Sequence, residues 1–192
     1  MTGIAAVETE RLVLRELSED DFEDIHEFKS DLQVVKYLTW GPNSREQTLH
    51  SLRKQIAFQN EENRQIYVLA VELKCTKKVI GNALFMVRDP DFKTAEIGYF
   101  INSNYWKKGY GIEIVNGLLY LGFNIFDVHR IYAICDVENA GSVKLLKKIG
   151  FRQEGHFIKN LKVKGQWRNN YLFAMLSEEF INRTENVVFK SK

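Results

Sequence analysis

Cysteine and proline are scarce, with two of each in 192 residues. Cys75 and Cys135 have no neighbours at metal-ligand spacing. A disulfide framework or structural zinc is therefore not expected, and a reducing cytoplasm is the expected setting. The four histidines also lack ligand spacing, so no metal is expected. Pro42 and Pro90 stand far apart, so no proline-rich linker divides the chain. No apolar run approaches the ~20 residues that cross a bilayer. The N-terminus lacks the basic-then-apolar plan of a signal peptide. A net charge of +2 is too small to draw nucleic acid or a membrane surface. No repeat or low-complexity segment occurs.

The composition is that of a soluble globular protein, 45% hydrophobic and 27% charged. The length suits one domain over 1–192, with a core at about 8–180 and a tail at 182–192 in which Val187-Val188-Phe189 could dock. The chain is organised around Tyr105-Trp106-Lys107-Lys108-Gly109-Tyr110-Gly111-Ile112-Glu113. An apolar run, Glu96 to Ile101, precedes it, and a helical pattern from Gly111 to Phe126 follows. Glycines let a backbone approach a ligand, and the N–H groups of a first helical turn favour an anion. Taken alone, the stretch reads equally well as a plain strand-to-helix turn. It lacks the third glycine of a dinucleotide fingerprint, since position 114 is Ile, and it has no Gly-Lys-Ser/Thr of a P-loop.

Alternation over Glu10–Glu16 predicts a first strand. Ser18 with Asp21 predicts a capped helix whose inner face is Phe22, Ile25 and Phe28. A turn around Trp40 leads to a helix from Ser44 to about Asn63. For Trp40 two readings stand, buried packing or the wall of a binding site. Strands at Gln65–Leu73, Val79–Val87 and Thr94–Ile101 predict an antiparallel meander. The helix from Gly111 is apolar on most sides, and Gly117 and Gly122 within it point to close packing. A strand at His129–Cys135 completes a right-handed β-α-β crossover with a parallel strand pair. A helix from Ala140 to Ile149, stopped by Gly150, precedes strands at Phe151–Val163 and Gln166–Leu176 around Lys164-Gly165. A short helix begins at Ser177. The class is mixed α/β, with a mostly antiparallel sheet, one parallel crossover pair and flanking helices.

This order resembles the GNAT superfamily of acyl-CoA N-acyltransferases, and within it the RimJ/RimL-like branch of protein N-terminal acetyltransferases. Four pieces carry the resemblance: Glu8-Thr9-Glu10-Arg11-Leu12-Val13-Leu14-Arg15, Ala95 to Ile101, Trp106-Lys107-Lys108-Gly109-Tyr110-Gly111, and Asn139-Ala140-Gly141-Ser142 through Glu154-Gly155. The resemblance implies acetyl-CoA as cofactor. Lys107, Lys108, Gly109, Tyr110, Gly111 and Ile112 would form its pyrophosphate cradle. Tyr99, Phe100 and Ile101 would lie along its pantetheine arm, and Asn139 would contact that arm or only cap its helix. Trp106 takes the first place of the family's loop motif, as is common in that branch. A homodimer is a habit of the family.

The acceptor amine must be neutral to attack a thioester. At pH 7 deprotonation costs about 4.6 kcal/mol for a lysine and about 1.4 for an α-amino group. The resemblance points to Glu96 as the base, against the reading of a half-exposed strand glutamate; Glu72 and Glu138 are secondary candidates. Ser142 would meet the leaving thiolate in place of the tyrosine that many members carry on the helix after Asn139; it could equally cap that helix or touch the cofactor. A backbone N–H of Phe100 or Ile101 would polarise the carbonyl. Trp40, Trp167 and Asn169 would line the acceptor groove, with Asp89, Asp91 and Glu138 nearby. The branch often has Asp where this chain has Asn169. The expected acceptor is a protein N-terminus. The alternatives are a small amine such as a polyamine, amino acid or antibiotic, and a non-catalytic CoA-binding sensor or scaffold.

Overall fold

The structure, a computed structural model, describes residues 6–181. The proposed tail, including Val187–Phe189, lies outside the described residues. Eight strands form one sheet in the order β1-β2-β3-β4-β5-β6-β8-β7. They are β1 (Val7–Glu8), β2 (Leu12–Glu16), β3 (Ile66–Leu73), β4 (Val79–Asp89), β5 (Thr94–Ile101), β6 (Arg130–Asp136), β7 (Arg152–Val163) and β8 (Gln166–Leu176). The helices are α1 (Phe22–Lys29), α2 (Arg45–Ala57), α3 (Tyr110–Tyr120), α4 (Ala140–Ile149) and α5 (Ser177–Ile181). Among the described strands only β5 and β6 pair in parallel. The expected mixed sheet with one parallel crossover is present.

The central strands are apolar on both faces because both are covered. On one face Leu14, Leu69, Phe85, Ile97, Ile131 and Phe173 pack with Ile114 and Leu118 of α3 and Leu146 of α4. On the other, Val68, Ala70 and Val79 pack with Ile25 and Phe28 of α1 and Leu52 of α2. Asp21 accepts the Ser18 N–H at 2.9 Å, as the capping pattern predicts, but the first turn is a 3-10 helix and α1 proper begins at Phe22. His26 ties α1 to α2 through Thr48, 3.0 Å from its Nδ1.

Several boundaries differ from expectation by a residue or more, three of them for a visible reason. The first strand begins at Leu12, because Thr9 folds back to bond the Leu12 carbonyl through its N–H (3.0 Å), and an unforeseen β1 precedes that turn. Helix α2 stops at Ala57 and tightens into a 3-10 turn over Phe58–Asn60, in which Phe58 still packs on the core and the polar residues after it do not continue the apolar stripe. Helix α3 widens into a π turn over Leu121–Ile125, with the Phe126 N–H bonding the Leu121 carbonyl. Gly122 sits in that turn. A Cβ there would lie 2.5 Å from Ile131 Cδ1 and 2.8 Å from Phe85 Cε2. Gly117 likewise lies under Leu14, 3.1 Å from a built Cβ. Close packing accounts for both glycines.

Gly122→Ala should therefore lower stability by about 1–3 kcal/mol through overpacking. Gly98→Ala, whose Cβ would meet only Leu84 at 3.8 Å, is the matched control and should change stability far less. Urea unfolding of the two variants beside the parent compares them directly.

Candidate active site

Strands β5 and β6 pair only at Thr94–Arg130, Ala95–Ile131 and Glu96–Tyr132. Beyond that point β5 stays with β4 as far as Ile101, and β6 stays with β8 as far as Asp136. The two strands therefore part, leaving a wedge between them. Backbone groups along such an edge need partners, and an extended ligand arm with amides would supply them.

Side chains on β5 alternate between two walls. Tyr99 turns to the α3 and α4 side, where its hydroxyl lies 3.0 Å from Ser142 Oγ. Burial pushes this phenol up to about 12, offset in part by Ser142, so it stays protonated at neutral pH. Ser142 stands in the first turn of α4, and its N–H donates to Asn139 Oδ1 at 3.2 Å. Asn139 thus caps α4. Phe100 turns to the other wall and packs edge-on against Phe28 and Trp40, with ring centroids 5.8 and 5.4 Å away. Trp40 packs in this way while remaining half-exposed.

The organising stretch follows directly. Asn102 caps a 3-10 turn, Ser103–Tyr105, and the Trp106 indole donates to the Ile101 carbonyl at 2.8 Å. Lys107 and Gly109 both take left-handed backbone conformations, φ 61° and 87°, and Gly109 caps α3. Residues Lys107, Lys108 and Gly109 are exposed. Gly111 is buried against Leu145, whose Cδ1 would be 2.4 Å from a Cβ there. The first turn of α3 begins at this glycine cap, with the Ile112 N–H bonded to the Gly109 carbonyl at 3.1 Å. Backbone donors, two lysines and the positive end of the helix suit a pyrophosphate. The residues present fit the nucleotide end of acetyl-CoA, and the open β5 edge fits its pantetheine arm.

Glu96 sits at the last paired position, where the wedge begins. Arg88 Nε donates to its Oε2 at 2.8 Å and the Tyr132 hydroxyl to the same oxygen at 3.1 Å. Burial, and next the charge of Glu96, raises the Tyr132 phenol. Glu72 is remote, bound to Arg15 and Lys77. Glu138 is exposed and pairs with Arg168, which also grips the buried Asp136 at 2.7 and 2.9 Å. Hydrogen bonds first to Asp136 and then to Glu138 raise the Arg168 guanidinium. Asp89 and Asp91 lie in the β4–β5 hairpin, past the closed end of the wedge, where Asp89 accepts the Phe92 N–H.

The loop bearing Trp40 and the hairpin bearing Trp167 meet: Lys164 Nζ donates to the Val35 carbonyl at 2.7 Å. Trp167 is 60% exposed. The Asn169 side chain accepts the Lys159 N–H at 2.8 Å, and so holds the bulge that breaks β7 between Phe157 and Leu161. Cys135, on β6 beside Ser142, is pushed up to about 11 by burial, so its thiol is neutral and a poor nucleophile at pH 7.

Sequence reasoning placed Tyr99 on the cofactor arm but missed its contact with Ser142, and it missed Lys29 altogether. The Tyr99 hydroxyl, from β5, faces Ser142 on a helix that carries no tyrosine of its own. Lys29, four residues beyond Ile25 on the inward stripe of α1, is only 2% exposed. Its ammonium donates to Ser51 Oγ at 3.0 Å and Gln55 Oε1 at 3.3 Å, and lies 5.7 Å from the Trp40 ring. All these partners are neutral, and burial lowers the ammonium to about 8. A cation on an apolar helical stripe was the available signal.

A strand wedge beside a glycine-capped helix is the arrangement that the resemblance to acyl-CoA N-acyltransferases implies. The acetyltransferase (GNAT) domain model matches residues 11–152, and the chain belongs to that family. It is similar to the uncharacterized N-acetyltransferase YnaD of Bacillus subtilis, 33% identical over 174 residues, covering 91% of this chain and 98% of that protein. A GNAT-family acetyltransferase structure from Bacillus anthracis is 32% identical, with TM-score 0.82, covering 91% of this chain and 99% of that one. Spermidine N-acetyltransferase from Vibrio cholerae, in complex with CoA and spermine, shares the fold at 24% identity, with TM-score 0.77, covering 90% of this chain and 99% of that one. The protein is an N-acetyltransferase that uses acetyl-CoA.

Lys29 gives a stability signature. The unfolded chain keeps this proton up to its ordinary value near 10.5, whereas the folded chain releases it near 8. Below pH 8 the folded state bears the full cost of the buried charge, and that cost fades as pH rises toward 10.5. Relative to Lys29→Met, the parent should gain about 2 kcal/mol between pH 7 and 10. Denaturant unfolding of the pair across this range measures it, and a constant difference would refute the assignment.

Proposed function

We propose that the chain acetylates a protein N-terminal α-amino group, in the manner of the RimJ/RimL-like branch. The observation that carries the reading is the parting of β5 and β6 at Glu96, beside the glycine-capped start of α3. Acetyl-CoA supplies the activated thioester. Residues Lys107–Ile112 hold its pyrophosphate, and Tyr99–Ile101 line its pantetheine arm with Asn139 at the far side. The N–H of Phe100 or Ile101 steadies the carbonyl oxygen.

Glu96 takes the amine proton on Oε1, while Arg88 and Tyr132 hold Oε2. The neutral amine forms the C–N bond as the C–S bond breaks. Ser142, backed by Tyr99, donates to the departing sulfur. Attack is direct, because the neutral Cys135 thiol is unsuited to carry the acyl group.

The second reading, a polyamine acceptor, is suggested by the spermidine enzyme that shares this fold. Lys29 weighs against it. A polycation would meet a buried ammonium behind Trp40, and the acids on and just after α1 are occupied: Glu23 by Arg45, Asp24 and Glu27 by Lys78, Asp31 by Ser103. A peptide N-terminus carries one cationic charge and reaches neutrality near pH 8. Trp40, Trp167 and Asn169 flank it in the groove.

Release of free thiol from acetyl-CoA, followed over a panel of peptides and small amines, decides the acceptor. Peptides with a free N-terminus should turn over, and spermidine should not; preferential turnover of spermidine would sink this reading. Binding of acetyl-CoA without thiol release on any acceptor would favour a non-catalytic binding module instead. Glu96→Gln should lower kcat/KM about a hundredfold at pH 7, with recovery as the amine deprotonates at higher pH. Ser142→Ala and Tyr99→Phe should each lower kcat about tenfold and leave the KM for acetyl-CoA near its parent value. Full rates in these variants would remove the assigned roles.

A further inference from the structure

The segment Thr9-Glu10-Arg11 has no part in the chemistry described so far, yet it touches the organising stretch at four places. Arg11 Nε donates to Glu113 Oε1 at 2.5 Å, and the Arg11 backbone N–H donates to Glu113 Oε2 at 3.0 Å. Thr9 Oγ1 donates to that same Oε2 at 2.7 Å. Arg11 Nη1 donates to the Lys108 carbonyl at 3.1 Å. The guanidinium lies 4.4 Å from the Tyr110 ring centroid, and a Cβ on Gly109 would be 3.2 Å from Nη2. One side chain thus underlies Lys108, Gly109, Tyr110 and Glu113.

Glu113 stands in the first turn of α3. A carboxylate there is favoured by the helix dipole, but it competes with any anion arriving at the same end. Three donors from Thr9 and Arg11 cover both of its oxygens. The Lys108 carbonyl is bonded by Arg11, and a carbonyl so held is kept off an anion that needs N–H groups. The left-handed turn at Gly109 rests directly on the guanidinium.

We propose that Arg11 is a positioning residue for the nucleotide end of acetyl-CoA, neutralising Glu113 and holding the Lys108–Tyr110 turn in its anion-accepting form. This rests on the reading of Lys107–Ile112 as the pyrophosphate cradle. The Arg11 side chain is 42% exposed, and partly exposed ion pairs contribute little to folding stability. Its loss should therefore register on cofactor affinity while the fold stays intact.

The test compares two donors, acetyl-CoA and S-acetylpantetheine, which carries the same thioester without the nucleotide. Arg11→Gln should raise the KM for acetyl-CoA about tenfold, with kcat within about twofold and kcat/KM for S-acetylpantetheine unchanged. Arg11→Lys, which keeps the charge but loses the fork, should fall between the two. The double variant Arg11→Gln with Glu113→Gln should recover part of the lost affinity, since no bare carboxylate remains. Calorimetric titration with CoA should follow the same order, and thermal unfolding of each variant checks the fold. Equal losses with both donors, or an unchanged KM for acetyl-CoA, would overturn the role of Arg11. If the unaltered protein uses both donors with equal kcat/KM, the cradle reading itself fails.

Discussion

The rest of the site depends on where the parallel pairing stops. Strands β5 and β6 are each held firmly on their outer sides, β5 by β4 through Ile101 and β6 by β8 through Asp136. Neither can bend far toward the other without breaking its own ladder. Gly81 of β4 tightens the first grip, since a Cβ there would stand 2.4 Å from the Phe100 carbonyl. Beyond Glu96 and Tyr132 the inner edges are committed to separation. Backbone groups on such an edge need partners, so the wedge and the extended ligand proposed for it answer one constraint.

Strand periodicity then divides the labour. Because successive side chains face opposite ways, Tyr99 reaches α4 and Phe100 reaches α1 and the Trp40 loop. The proposed leaving-group pair and the proposed acceptor wall are thus one residue apart in sequence yet on opposite sides of the sheet. Glu96 shares the parity of Phe100, which places the proposed base on the acceptor side. The proposed base and the proposed leaving-group donor thus stand on separate walls, so that one can take the proton of the amine and the other can meet the sulfur without competing for the same space.

What the sequence made legible was local. The capped helix Ala140–Ile149, stopped by a left-handed Gly150 (φ 96°), the strand Thr94–Ile101 and the turn at Lys164-Gly165 follow from nearest-neighbour signals, and all three stand where expected. The glycines of α3 were legible because glycine is costly in a helix unless something presses on it. What stayed hidden was made by distant pairs. Arg88 on Glu96, Tyr99 on Ser142, and Arg11 on Lys108 and Glu113 depend on strand register and helix docking, which no local window contains. Asn169 illustrates the converse. Its position suggested an acceptor contact, but its amide oxygen is also drawn into the backbone of the β7 bulge.

Two acids, Glu27 on α1 and Asp31 just after it, tie the two halves of the proposed site together. Glu27 accepts from Asn102 at 2.9 Å and Asn104 at 3.3 Å as well as from Lys78, and the Lys78 and Asn102 bonds lower its carboxyl below the ordinary range. Asp31 binds Ser103. Both carboxylates are thereby spent on the turn that launches the organising stretch, and Lys29 lies between them in sequence with only neutral partners. Acids that anchor the proposed cofactor loop are not left to greet a polycationic acceptor. The electrostatics of the proposed acceptor wall therefore follow from the demands of that loop, and a relative with other residues at these positions is free to take a different amine.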